Sequence, residues 1–295
     1  MNRILVAHTS WYQEKIAKML AISIEVLERS FKCEKVQAPG AIELAALARN
    51  KSKPKIRLIK EPIWCRGELY DDWSNYLSKC DVFVHFAAAG VVNNYQNWEK
   101  CFDVNCIHFE ILLRNAFKSG IEKFLICGSC FEYGSTGNEY KKIPIDAELK
   151  PIGAYSYSKA LAGLSALNFA KKNNLRLILA RLFYVYGKGE HPNRFWPSLV
   201  NAAIQGKDFK MTKGEQLRNF TNVEDSALSL LEVCETLKSI KSGGIIRNIG
   251  SEYNGSLKEF AYNEWEKLNA KGSIHTGYYS YRDNEVMSYV PDLFY

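Results

Sequence analysis

PIGAYSYSKALAGLSALNFAKKNN, residues 151–174, decides how the rest of the chain is read. Pro151 and Gly153 mark a turn, and the alanine- and leucine-rich run behind them predicts a helix. Within it Tyr155 and Lys159 stand four positions apart, on one helical face and one turn from each other. A free phenol titrates at about 10, too high for efficient proton exchange at neutral pH. A neighbouring ammonium favours the phenolate and yields a usable general acid/base. A YxxxK spacing alone is weak evidence, because a tyrosine and a lysine on an ordinary helix surface give the same pattern.

Working outward, KFLICGSCFEYGS, residues 123–135, reads as a buried strand over Phe124 to Cys127 that runs into a small-residue turn. The turn offers the Ser129 hydroxyl beyond the carboxyl end of the strand, where parallel sheets place their functional groups. On the other side, LRLILARLFYVYGKG, residues 175–189, is a second apolar strand ending in a glycine turn. The segments VFVHFAA (82–88), FDVN with Asn105, RLFYVYG (181–187), GEQLRNFTNVED (214–225), NIGSEYNGS (248–256) and YRDNEV (281–286) follow in order.

This ordered set resembles the extended short-chain dehydrogenase/reductases, the NAD-dependent epimerase/dehydratases of nucleotide sugars, over residues 56–295. The resemblance implies an α/β fold: a Rossmann-like, doubly wound parallel sheet with a small C-terminal substrate lobe. It implies Ser129, Tyr155 and Lys159 as catalytic residues, with Tyr155 exchanging a proton with the sugar while hydride moves to or from nicotinamide. Lys159 would lower the phenol's pKa and hold the nicotinamide ribose. NAD or NADP is the implied cofactor, met by Glu68, Leu69, Ala87, Ala88, Asn105, Tyr155, Lys159 and Phe183. Arg218 and Arg282 match the family's phosphate-binding arginines and Arg194 is a weaker third, since guanidinium binds phosphate bidentately. The implied partner is a nucleotide-diphosphate sugar, with a homodimer as an assembly open to the chain.

Departures from the family pattern narrow the reaction. The 4,6-dehydratase branch carries an Asp-Glu pair directly after its hydroxyl, and here Cys130 and Phe131 stand there. Neither can act as a carboxylate, which leaves 4-epimerisation or 4-keto reduction. Tyr184 replaces an asparagine that often touches the sugar diphosphate in the family. The sequence ends at PDLFY, 291–295, soon after the last motif, so the family's final helix is expected to be missing.

The first 50 residues have a different character. Arg3 to Thr9 suits a strand, Ser10 could cap the next helix, and Ile16, Met19, Leu20, Ser23, Ile24 and Leu27 share a helical face. Lys35 to Ala38 reads as a second strand, followed by a helix over AIELAALARN. RILVAHTSWY and VQAPGAIELAALA resemble the opening of lumazine synthase, with Trp11 or Tyr12 matching the aromatic after its first strand. Pro39, Gly40, Ala41 and Glu43 would match the segment that wraps the ribityl chain. No glycine occurs before Gly40, so the first strand-to-helix turn lacks the close backbone approach that a pyrophosphate needs. Weak dinucleotide binding is therefore expected. The domain division expected is 1–50, the lumazine-synthase-like segment; 51–180, the cofactor-binding and catalytic core; and 181–295, a core strand with the substrate lobe. Two other functions compete with the enzyme: a catalytically impaired sugar-nucleotide-binding protein or chimeric gene product unable to hold the dinucleotide, and, more weakly, a riboflavin-pathway protein.

Bulk properties fit a globular enzyme. A hydrophobic content of 47% in 295 residues supports a sizeable core. No apolar run reaches the ~20 residues of a membrane span, and MNRILVAHTSWY has no signal-peptide layout. The net charge of +7 resides in residues 1–60, which hold 12 Lys/Arg against 5 Asp/Glu. KSKPKIRLIK, 51–60, is basic but has neither interleaved aromatics nor a binding motif, so it reads as a solvated linker and not a nucleic-acid site. Eight cysteines without a regular framework suit a reducing cytoplasm. Cys127 and Cys130 have metal-ligand spacing, but no second pair or histidine cluster completes a site, and no metal is expected.

Overall fold

The computed structural model describes residues 71–91 and 97–293, together with the backbone of Ile4–Ala7 and Ile63–Trp64. Five strands appear early in the chain: β1 (Ile4–Ala7), β2 (Ile63–Trp64), β3 (Val82–His85), β4 (Lys123–Ser129) and β5 (Arg176–Leu182). Four short ones follow, β6 (Val185–Tyr186), β7 (Phe209–Lys210), β8 (Leu217–Asn219) and β9 (Thr221–Asn222), then the long β10 (Gly243–Ile249). The main sheet has the order β10-β5-β4-β3-β1-β2, and every pairing in it is parallel. The apolar run expected to form a first strand does so and lies beside the strand that follows Asp81, with Leu5 opposite Phe83. Strand order reverses at β1, between β2 and β3. Open α/β sheets bind ligands at such a switch point, beyond the carboxyl ends of the strands.

Period-2 alternation sends neighbouring residues of each strand to opposite faces. Phe83, Phe124, Ile126, Leu177 and Leu179 pack under Leu112, Leu113, Ala116, Ala162, Ala166 and Phe169. Val82, Val84, Leu125, Cys127, Ile178, Ala180 and Leu182 face the other way, against Leu230, Cys234 and Leu237. Both faces are covered, as a parallel sheet requires. The covering helices on the first face are α3 (Phe109–Lys118) and α4 (Gly153–Lys172), and α6 (Val223–Thr236) covers the second. Two short helices, α1 (Ser74–Leu77) and α2 (Trp98–Phe102), precede α3, and α5 (Phe195–Ile204) lies between α4 and α6 in the chain.

The helical run that leads from β3 over to β4 begins at Trp98. Asn97 caps it by accepting from the Lys100 N–H at 2.9 Å. Between α2 and α3 the backbone widens into a π-helical stretch, Asp103–His108, which includes Asn105. The C-terminal part contributes the outer strand β10 as well as small sheets: β11 (Asn254–Ser256) and β13 (Ser288–Tyr289) flank β8, and β12 (Ile274–His275) pairs with β7. Helix α7 (Leu257–Lys267) closes this lobe through Trp265 and Ala261, packed with Leu199 and Met211. Among the described residues no helix is long and apolar enough to cross a membrane, and no group of three or more His, Cys, Asp or Glu could hold a metal ion.

Candidate active site

Ser129 is the last residue of β4, in extended conformation, and it caps the short 3-10 turn Cys130–Glu132. The cap is reciprocal. Ser129 Oγ accepts from the Phe131 N–H at 3.3 Å, and the Ser129 N–H donates to Glu132 Oε1 at 2.8 Å. The turn continues into Gly134, whose φ of +56° and close approach to the Lys150 carbonyl admit no side chain. Through that approach the 130s loop is sewn to the segment leading into α4 by Ser135 N–H to Lys150 O and Lys150 N–H to Tyr133 O.

Tyr155 and Lys159 lie in the first two turns of α4 and both are buried. The Ser129 side chain lies beside the Tyr155 phenol and favours its ionised form, so the structure brings these two predicted residues together. Burial raises the phenol's pKa, and the nearby Cys127, Glu132 and Cys130 push the same way. The neighbouring Ser129 hydroxyl opposes them. The lowering expected from Lys159 is thus not what this geometry gives. The Lys159 ammonium is turned to the Cys127 carbonyl, 2.6 Å away. Beneath it His85 is packed between Phe83 and Phe109, as a core histidine. Burial, and then the charge of Lys159, hold its imidazole down at about 3.

The carboxyl end of β3 continues through Ala87, Ala88 and Ala89, small residues that allow a close backbone approach at the switch point. Asn105 secures this loop: it accepts from Ala89 N–H at 2.7 Å and donates to Ala89 O at 3.0 Å and to Ser158 Oγ at 2.8 Å. Ser158 in turn donates to the Tyr155 carbonyl at 2.9 Å. With its side chain so engaged, Asn105 shapes the loop and ties it to the Tyr155 helix. Phe183 differs from expectation. Its ring is fully buried with Tyr133, Ile143 and Tyr289, which leaves only its backbone for a cofactor. Glu68 and Leu69, the first strand-to-helix turn and the remainder of the lumazine-synthase-like segment lie outside the described residues.

The three arginines are unlike one another. Arg218, on β8, is buried and donates to Glu285 Oε1 at 2.8 Å and to the Val286 carbonyl at 2.7 Å. Its guanidinium also lies over the rings of Tyr184 and Tyr289, 5.1 and 5.2 Å from their centroids. Arg194 caps α5 and pairs with Glu190 at 3.0 Å. Arg282 is exposed, three residues before Glu285. Between Arg218 and Tyr155 stands an aromatic wall that sequence reasoning did not assemble: the Phe131 ring meets Tyr155, Tyr184 and Tyr289 edge-on at 5.3–6.2 Å. Sequence reasoning also passed over Glu132, although Ser129-Cys-Phe-Glu132 is a capping-box pattern.

Comparison with known proteins agrees with the fold. Residues 30–250 match the profile of the NAD dependent epimerase/dehydratase family. That match starts within the segment 1–50 that resembles lumazine synthase. The chain is 24% identical over 189 residues to a dTDP-D-glucose 4,6-dehydratase of Mus musculus, covering 63% of this chain and 51% of that one. It is 26% identical over 204 residues to a putative UDP-arabinose 4-epimerase of Arabidopsis thaliana, covering 61% and 48%. The chain thus spans about half the length of these curated relatives. Among solved structures, MoeE5 in complex with UDP-glucuronic acid and NAD superposes with a TM-score of 0.74 at 20% identity, over 99% of this chain and 90% of that one.

Proposed function

This chain belongs to the NAD-dependent epimerase/dehydratase family, and from that premise we propose that it acts at C4 of a nucleotide-linked sugar, as a 4-epimerase or a 4-ketoreductase. The observation that carries the proposal is the meeting of Tyr155 and Ser129 at the carboxyl edge of a parallel sheet, with Lys159 one turn along. The cofactor fits the small-residue loop Ala87–Ala89 at the switch point, where backbone can approach a ligand closely. When bound, NAD or NADP supplies the hydride acceptor or donor.

The residues of this chain supply position and proton. Ser129 Oγ holds the C4 oxygen, and Tyr155 Oη takes its proton on oxidation or returns one on reduction. Burial that keeps the phenol protonated suits the reductive direction, in which a proton is delivered to a C4 carbonyl. Lys159 is placed to bind ribose hydroxyls once its ammonium leaves the Cys127 carbonyl. Arg282, exposed, and Arg218, lining the aromatic wall, would meet the diphosphate, with Arg194 beside them. Dehydration is disfavoured. The Cys130 thiol is buried and pushed up to about 12, and Phe131 is packed among rings, so neither replaces a carboxylate.

A homodimer is the proposed assembly. Trp98, Ile107 and Ile111 on one helical stretch, and Tyr157, Leu161 and Leu164 on α4, are exposed apolar side chains. The Trp98 and Tyr157 rings lie 5.5 Å apart. Light scattering after gel filtration reads this directly.

The activity is tested by incubating the protein with NAD(H) or NADP(H) and UDP-, dTDP-, CDP- and GDP-hexoses, or their 4-keto-6-deoxy derivatives. Products are followed by NMR. A 4-epimer or a reduced 4-hydroxyl is expected. Calorimetric binding without any turnover would instead support the sugar-nucleotide-binding alternative.

A further inference from the structure

A fully buried ion pair lies directly behind the candidate hydroxyl. Glu132 Oε2 accepts from Arg181 Nε at 2.8 Å, with side-chain exposures of 0% and 2%. The other oxygen, Oε1, accepts the Ser129 N–H at 2.8 Å. Arg181 sits on β5 directly opposite Gly128, and its Nη1 donates to the Ile145 carbonyl at 3.2 Å. Its guanidinium lies 4.6 Å from the centroid of the Tyr133 ring, whose hydroxyl donates to Asn248 at 2.7 Å. Gly128 makes room for the pair: a Cβ there would fall 2.6 Å from Glu132 Oε1 and 3.1 Å from Arg181 Cγ.

Burying two charges carries a large desolvation penalty, and apolar residues of similar volume are often as stable in such places. A carboxylate kept at this position does two things that an apolar side chain cannot. It fixes the Ser129 backbone, and it sets a negative charge near the phenol. On the reading of the site proposed above, we infer that Glu132, held by Arg181, is a positioning residue: it orients the Ser129 hydroxyl toward Tyr155 and adjusts the charge felt by the phenol.

The Glu132→Gln variant keeps an oxygen acceptor for the Ser129 N–H but removes the charge. Its kcat is expected to fall about tenfold to a hundredfold while KM for the nucleotide sugar stays within about threefold. The limb of the pH–rate profile that reports Tyr155 should move to lower pH, because the lost negative charge had favoured the protonated phenol. This variant leaves Arg181 buried and unpaired, so folding is safeguarded with the double variant Glu132→Gln/Arg181→Met, which removes both charges. The double variant should recover the melting temperature but neither kcat nor the position of the pH limb. In hydrogen exchange, a Glu132→Ala variant, which removes the acceptor as well as the charge, should lose amide protection at Ser129 before the rest of residues 123–134.

Folded variants with wild-type kcat and an unmoved pH limb would overturn the inference. So would a double variant that does not fold, since the pair would then be structural. Tyr155→Phe is the control for the underlying reading. If it turns over normally, that reading falls. If it is inactive while the Glu132 variants match wild type, only the role of Glu132 falls. Should no sugar nucleotide turn over, the exchange measurement at Ser129 still decides whether Glu132 orders that residue.

Discussion

The two corners of the site are built differently. The proposed proton-transfer corner, Ser129 with Tyr155, Lys159 and Glu132, sits where the seven-residue strand β4 ends against a 20-residue helix. Its polar groups find partners inside the protein at 2.6–3.3 Å. The arginine corner hangs on strands of two or three residues and the loops between them. One of its cations is locked to Glu285, another to Glu190, and a third lies on the surface. Rigid elements hold reacting atoms to tight tolerances, whereas loops accommodate different substrates. Substitutions in the first corner should therefore act on rate, and those in the second on affinity, with stability entering only where a buried pair is broken.

The largest expected effect lies in the first corner. Tyr155→Phe should lower kcat by roughly 10²–10⁴-fold with little change in melting temperature. Steady-state rates alongside thermal denaturation check both halves, and a rate near wild type would erase the proposed division of labour.

Acid should act next, and on the same side. His85 is held neutral at about 3 in the folded protein and returns to about 6.5 when unfolded. The unfolded chain therefore binds a proton that the folded chain refuses, so stability falls as pH drops below about 6.5 and levels off near the folded value. The slope is about 1.4 kcal/mol per pH unit. Urea unfolding of the protein and of His85→Phe, compared at pH 7 and two units below the unfolded value, should show this contribution missing from the variant.

In the second corner the arginines should separate. Arg218→Ala leaves Glu285 and the Val286 carbonyl without their donor, and should cost about 1–2 kcal/mol of stability as well as nucleotide-sugar affinity. Arg282→Ala, at an exposed position, should change stability by less than about 0.5 kcal/mol while weakening affinity about tenfold. Paired chemical denaturation and calorimetry distinguish the two. Equal stability losses would mean that the arginines are not partitioned by burial.

Much of the first corner was legible in the sequence because its determinants are local. The apolar run 124–127, the small-residue turn and the YxxxK helix each follow from spacing within a dozen residues, and β4 and α4 form where these patterns lie. The capping box Ser129–Glu132 was equally local, but such a motif usually marks a helix start and carries no sign of a neighbouring functional hydroxyl. Arg218 was recognisable as a cation, but its pairing with Glu285 across 67 positions was not. The burial of the Phe183 ring was likewise not local. The strand ends at Leu182, and the next residue turns into a cluster with Tyr133 and Val286, where in-strand alternation no longer applies. The direction of the Tyr155 shift depended on where Lys159 points, and only the fold places the Cys127 carbonyl within its reach.

The central claim, that proton and hydride meet at C4 of a nucleotide-linked sugar, is tested most directly by isotope transfer. Protein is mixed with a nucleotide-linked 4-keto-6-deoxyhexose and nicotinamide dinucleotide carrying deuterium on its transferable position, and the product is analysed by NMR and mass spectrometry. The account predicts one deuterium at C4 of the sugar with the wild-type chain, and formation of that product at least about a hundredfold slower with Tyr155→Phe. Deuterium at another carbon, or equal rates in the two proteins, would contradict it.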